Sequence, residues 1–124
     1  MKIIVDSSVF IDHIRGDPRA MSWLEETILR GVDPWSITPV RTEVLAGMHK
    51  DEDERTHRLF GLVSWQDITI PIADRAGELR RAGPATGGDT VDYLLAAAAE
   101  LLSAELATMN VRHFPMIEGL EAPY

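Results

Sequence analysis

The 124-residue sequence contains no cysteine and only two lysines, and it has no long apolar run. Without cysteine the chain can form no disulfide, no thiolate metal site and no thiol nucleophile. No segment is apolar and long enough to span a membrane, and the N-terminus lacks the pattern of a signal peptide. We therefore expect a cytoplasmic protein without a membrane partner.

Basic residues are also few, because 12 Lys and Arg stand against 20 Asp and Glu and leave a formal charge of −8. Generic binding of polyanions needs a basic surface, which this composition disfavours. A cluster of carboxylates that binds a divalent cation would add to the same negative total, and the cation would partly invert the local field. Composition therefore does not exclude an enzyme that acts on nucleic acid.

The chain opens with a β-branched run at residues 3–5, which is typical of a strand buried on both faces. Asp6 follows it, and an apolar pattern with helical spacing then begins, for which Ser7 or Ser8 is a natural N-cap. Asp6 is thus predicted to lie at the carboxyl end of a strand, where α/β sheets bind ligands. The alternative is that Asp6 only caps the helix.

The rest of the sequence alternates short apolar segments with helical patterns. We predict strands at 35–38, 68–70 and 105–109, and helices at 18–29, 41–48, 74–82 and 93–102. Prolines at 39 and 71 are interpreted as strand ends, and the glycine-rich loop 83–88 as a mobile approach to the acidic stretch after it. This alternation predicts a single α/β domain over residues 1–124, with a central, mostly parallel sheet flanked by helices on both faces.

Four polar residues are predicted to meet at the carboxyl edge of that sheet. They are Asp6, Glu43 in the first turn of a helix, Asp92 at the start of the alanine-rich helix, and Asn110 after the last strand. Three carboxylates in one place repel each other unless a cation binds between them. An all-oxygen ligand set favours Mg²⁺ or Mn²⁺, and such a site suits phosphodiester hydrolysis by a metal-activated water. For Glu43 the alternative is simple complementarity to the helix dipole.

Four segments carry a resemblance to a known family. Residues 5–16 (VDSSVFIDHIRG) resemble the opening motif of PIN-domain proteins, in particular the VapC toxins, and residues 38–47 (TPVRTEVLAG) resemble the second motif. Residues 91–99 (VDYLLAAAA) and 107–115 (ATMNVRHFP) are similar to the third and fourth. The resemblance runs in order over nearly the whole chain.

This resemblance implies a PIN fold and a Mg²⁺-dependent endoribonuclease toxin that cuts RNA, such as tRNA or rRNA. It further implies a homodimer that a cognate VapB-type antitoxin holds inactive. By position, Asp6, Glu43 and Asp92 match the three metal-binding acids of the family, and Ser8 matches the small polar residue that supports the first of them.

The fourth motif departs from the fullest family pattern, which places aspartate near the end of the last strand. Here the residue is Asn110, and His113 stands where another acid often appears. Asp89 could supply the missing charge, although capping is its expected role. Arg15 and Arg112 flank the predicted site in sequence and are candidates for RNA phosphate contacts.

Two other functions are compatible with the sequence. One is a PIN-like RNA- or protein-binding module with weak or no catalysis, for which Asn110 is the only support. The other is a phosphatase or receiver-like domain with Asp6 as nucleophile. That chemistry needs a lysine near the phosphate, and Lys2 and Lys50 are poorly placed for it.

Overall fold

A parallel sheet forms the centre of the molecule. The computed structural model describes residues 1–84 and 87–124. Within them the strands are β1 (Lys2–Val5), β2 (Asp33–Ile37), β3 (Ser64–Gln66) and β4 (Glu105–Ala107). The helices are α1 (Ser7–Ile14), α2 (Pro18–Leu29), α3 (Thr38–Ala46), α4 (Asp53–Phe60), α5 (Ile70–Ala82) and α6 (Thr90–Leu101). Two 3-10 turns, Lys50–Glu52 and Val111–His113, complete the described chain.

The strands lie in the order β3-β2-β1-β4, and every pairing is parallel. The chain builds outward from β1 to β3 and then crosses back to place β4 on the other side of β1. With right-handed crossovers, this reversal puts α5 and α6 on the opposite face from the earlier helices. The predicted α/β fold with helices on both faces is confirmed. The reversal also creates a topological switch point at the carboxyl ends of β1 and β4.

The alanine-rich helix α6 packs against the sheet. Leu95, Ala97 and Ala98 are fully buried, and the helix contacts both β1 and β2 as well as α5. Small side chains let the helix axis approach the sheet closely, so the N-terminus of α6 is held in a fixed position relative to the ends of the strands. That position matters because Asp92 lies in the first turn.

The predicted strand at 68–70 is wrong. The third strand is Ser64–Gln66, and Thr69 is instead the N-cap of α5, its Oγ1 accepting a 3.3 Å hydrogen bond from the Ile72 amide. Pro71 lies in the first turn of that helix. The first amides of a helix have no partner within the helix, so proline begins a helix there without losing a hydrogen bond.

Other boundaries shift by a few residues. β2 begins at Asp33 and β4 ends at Ala107, whereas the sequence predicted strands at 35–38 and 105–109. The loop 83–88, predicted to be mobile, includes residues 85 and 86, which lie outside the described residues. Among the helices of the described ranges, none combines the length and apolar character needed to cross a membrane.

Candidate active site

Asp6 lies directly after β1 and is 2% exposed. Its Oδ1 accepts a 2.7 Å hydrogen bond from the backbone amide of Ser7, so Asp6 itself is the N-cap of α1. The prediction of Ser7 or Ser8 as the cap is therefore wrong, because the strand turns into the helix without a spacer. The capping role leaves Oδ2 directed to the β4 side, and capping does not by itself exclude metal binding.

Two hydroxyl groups position the other oxygen of this carboxylate. Thr108 Oγ1 donates a 2.7 Å hydrogen bond to Asp6 Oδ2, and Ser8 Oγ donates to the same oxygen at 3.3 Å. Ser8 in turn accepts a hydrogen bond from the Met109 amide at 3.1 Å. These contacts join the carboxyl ends of β1 and β4, and they fix the orientation of a buried charge.

Sequence reasoning missed Thr108. Its side chain is fully buried and its Oγ1 also accepts a 3.0 Å hydrogen bond from the Asn110 amide. A hydroxyl residue directly after an apolar strand was the available signal, since a buried hydroxyl needs a polar partner. Asn110, two positions later, is the residue that the sequence predicted at this strand end.

Asp92 occupies the third position of α6 and is 7% exposed. Its amide donates to Asp89 Oδ1 at 3.0 Å, and its Oδ2 accepts from the Asp89 amide at 2.9 Å, which is a reciprocal capping box. The pKa of Asp92 is raised to about 6, and burial is the largest cause. The hydrogen bond from the Asp89 amide lowers this pKa, whereas the Asp89 and Asp6 carboxylates raise it further. The negative charge of Asp6 thus contributes to the raised pKa of Asp92.

Glu43 is half-buried on α3 and lies in the second turn, so its predicted place in the first turn is wrong. The helix begins at Thr38 because Pro39 belongs to its first turn. Burial raises the pKa of Glu43 most, followed by the charges of Asp89, Asp6 and Asp92. The three predicted metal-binding acids therefore act on one another electrostatically, although they come from three separate elements.

Two neighbours of Asp92 complete the acidic mouth, the opening of the site around Asp6, Glu43 and Asp92. His113 Nδ1 lies 3.4 Å from Asp92 Oδ2. Its interaction with the carboxylate lowers the pKa of Asp92, and this effect is the smallest of those that act on that pKa. Gly88 passes so close that an added Cβ would collide with Asp92 and lie 2.7 Å from the His113 carbonyl oxygen. Glycine at this position lets the backbone run beside the carboxylate.

The remaining predicted residues divide into two groups. Asn110 is exposed and contacts the site through its backbone amide, and Arg112 is exposed beside it on the Val111–His113 turn. Arg15 is the C-cap of α1 and lies ~14 Å along the helix from the N-cap Asp6, at a rise of about 1.5 Å per residue. There its Nε lies 4.0 Å from Glu52, and its Nη2 lies 3.4 Å from His49 Nε2. The structure therefore does not bring Arg15 to the site.

The donor set fits a hard divalent cation. Within residues 1–84 and 87–124, no three acidic or histidine side chains already lie close enough together to enclose an ion. Mg²⁺ does not need such a cage, because it keeps several waters and is commonly bound by one or two carboxylates. Burial is the largest cause of the raised pKa values of Glu43 and Asp92, and the neighbouring carboxylates add to it, a repulsion that a bound cation would offset.

An acidic cluster at the switch point of a parallel α/β sheet defines a class of proteins that bind ligands at the strand ends. Comparison with known families makes the assignment specific, because the sequence matches the PIN domain over residues 3–118. The chain belongs to the PIN domain family, and the resemblance seen in the four sequence segments is confirmed.

Similar proteins share the whole length of the chain. Ribonuclease VapC19 of Mycobacterium tuberculosis is 40% identical over 123 residues, covering 98% of both chains. Ribonuclease VapC10 of the same organism is 40% identical over 127 residues, covering 98% of this chain and 92% of the relative. A solved toxin–antitoxin complex from Klebsiella pneumoniae contains a chain with a TM-score of 0.79 and 25% identity, with 98% of each chain covered.

Proposed function

We propose that this protein is a Mg²⁺-dependent endoribonuclease toxin of a type II toxin–antitoxin system, in which Mn²⁺ can replace Mg²⁺. The observation that carries the proposal is the placement of the three acids at the carboxyl edge of the sheet: Asp6 directly follows β1, Glu43 lies on α3 after β2, and Asp92 lies in the first turn of α6. The full-length similarity to two proteins named ribonuclease VapC supports the activity. Asp6, Glu43 and Asp92 would hold the metal, and Asn110 would act at the rim.

The side chains have separate tasks in this proposal. Asp6 and Asp92 are the rigid ligands, the first fixed by Thr108 and Ser8 and the second by the capping box with Asp89. Glu43 is the acid that solvent reaches most easily, so it can adjust its position as the substrate enters. A bound magnesium ion would lower the pKa of a coordinated water and stabilise the leaving oxyanion.

The partners follow from the same proposal. The substrate is RNA, such as tRNA or rRNA, and the protein works in the cytoplasm as a homodimer controlled by a VapB-type antitoxin. The similar chain in a toxin–antitoxin complex supports an antitoxin partner. Met21, Ile28, Leu29 and Leu62 are exposed apolar side chains around one shallow depression, which an amphipathic helix of an antitoxin could cover. A basic tail of that antitoxin would lie across the acidic mouth.

Cleavage of a pool of cellular RNAs by the purified chain tests the proposal. We expect discrete fragments in Mg²⁺, none with a chelator, and none from Asp6→Asn, which removes one ligand charge with little change of shape. Asp74→Asn removes an equal charge from the exposed face of α5 and serves as the matched control. If the folded, antitoxin-free protein cuts no RNA in Mg²⁺ or Mn²⁺, the protein is a PIN-like binding module instead.

A further inference from the structure

An acidic chain that cuts RNA needs local positive charge to bind the phosphate backbone. Several of its arginines are already neutralised by carboxylates on the surface. The close pairs are Arg19 with Asp17 at 2.9 Å, Arg58 with Glu54 at 2.7 Å and Arg75 with Glu100 at 2.7 Å. These arginines carry little net charge outward, so a phosphate-binding residue is to be sought elsewhere.

Arg80, in the last turn of α5, is held differently. Its Nη1 donates a 2.6 Å hydrogen bond to Thr90 Oγ1, and its guanidinium lies 5.8 Å from the centre of the Tyr93 ring. Both partners are neutral. Among the described residues, no carboxylate lies within ion-pair distance of Arg80, and the side chain is exposed. The guanidinium therefore keeps its charge and most of its five donors.

The contact with Thr90 places that charge at the N-terminus of α6, the helix that carries Asp92. Thr90 is the first residue of α6, between the N-cap Asp89 and the buried Asp92. The residue that holds the guanidinium is therefore one position from Asp89 and two positions from Asp92 in the chain. The tether and the aromatic ring also restrict the side chain, so less rotational entropy is lost when it binds a phosphate.

We infer that Arg80 binds a backbone phosphate of the RNA next to the one that is cut. The inference rests on the proposed function and adds to it a residue that positions the substrate. A guanidinium binds phosphate through two parallel hydrogen bonds, which a restrained arginine offers in a fixed direction. Such a contact is independent of base sequence, so it contributes affinity and register for any RNA that enters the mouth.

The test compares Arg80→Ala with Arg81→Ala, the adjacent exposed arginine on α5, which gives the same change of net charge. Binding of fluorescent single-stranded RNAs of several sequences is measured from low to moderate salt, in an Asp6→Asn background that prevents cleavage. We expect Arg80→Ala to weaken binding roughly tenfold for every sequence and to reduce the salt slope by about 0.7, the value for one phosphate contact on a single strand. We expect Arg81→Ala to stay within a factor of about three.

Thr90→Val separates binding from a structural role, because it removes the tether and leaves the charge. If Arg80 only joined α5 to α6, then Arg80→Ala and Thr90→Val would weaken binding equally and leave the salt slope unchanged. That outcome would overturn the inference, as would equal behaviour of Arg80→Ala and Arg81→Ala while the parent enzyme cleaves RNA. A parent chain that neither binds nor cleaves any RNA would remove the proposed function and the inference together.

Discussion

Thr108 donates a 2.7 Å hydrogen bond to Asp6 Oδ2, although the two residues are 102 positions apart in the chain. One follows β4 and the other follows β1, the two strands on either side of the switch point. The bond therefore links the two halves of the sheet at the position where the ligand is expected. It also fixes the direction of Asp6, which at 2% exposure is more deeply buried than Asp92 at 7%.

The first prediction concerns this bond. Thr108→Val keeps the volume of the side chain but removes both the donor to Asp6 and the acceptor for the Asn110 amide. We expect RNA cleavage and Mg²⁺ affinity to fall about 10- to 100-fold, the usual effect of losing a hydrogen bond that orients a metal ligand. Thr108→Ser keeps the hydroxyl and should retain most activity. A fully active valine variant, assayed over a Mg²⁺ titration, would show that the bond does not matter.

Gly88 gives the second prediction. An added methyl group would collide with the Asp92 side chain and would also lie 2.7 Å from the His113 carbonyl oxygen. We expect Gly88→Ala to displace the carboxylate and to reduce cleavage at least ~100-fold, since a misplacement of about 1 Å can have that effect. Gly77→Ala is the matched control, because nothing lies within 4 Å of its added Cβ and alanine favours the helix. Equal activity of the two variants would contradict the prediction.

Asp92 gives a prediction about pH and stability. Its pKa is 3.8 in the unfolded reference and about 6 in the fold, so the folded state binds the proton more tightly. The ionised Asp92 carboxylate therefore destabilises the metal-free fold, and this destabilisation is fully present above the folded-state pKa of about 6. It decreases as the pH falls from about 6 to 3.8, and it is nearly absent below 3.8. We expect Asp92→Asn to be more stable than the parent at pH 8 by ~1 to 3 kcal/mol and equally stable near pH 3.5.

Urea unfolding in the presence of a chelator measures this difference. Asp74→Asn on the exposed face of α5 controls for the change in net charge. Adding Mg²⁺ at pH 8 should stabilise the parent more than Asp92→Asn, because only the parent keeps the full ligand charge. A stability gap that does not change with pH would disprove the assignment of the raised pKa to Asp92.

Asn110 gives the last prediction. The side chain is exposed, and the contact with Thr108 is made by its backbone amide. We expect Asn110→Ala to lower the cleavage rate by less than ~10-fold, since an amide oxygen at the rim can act only through a metal-bound water. Asn110→Asp should lower the Mg²⁺ concentration needed for half-maximal cleavage. A loss in Asn110→Ala as large as that of Asp6→Asn would make Asn110 an essential ligand.

Local patterns predicted the parts of the molecule in which one segment determines its own conformation. The β-branched run before Asp6 became β1, and Asp89 capped α6 as its position before the alanine-rich segment indicated. The same local reasoning failed at Pro39 and Pro71. A proline after a short apolar run is compatible with a strand end and with a helix start, and only the contacts of the folded chain distinguish them.

Periodicity, cap residues and motif spacing are properties of the linear chain, so the fold class and the family could be predicted from the sequence. The same patterns predict Asp6, Glu43 and Asp92 as the acids of the site. Which other side chains meet these acids depends on the tertiary structure. The fold brings Thr108 to Asp6, His113 to Asp92 and Arg80 to Thr90, and it leaves Arg15 at the far end of α1. These contacts join residues on different elements, so they depend on strand order and helix packing, which no single segment encodes.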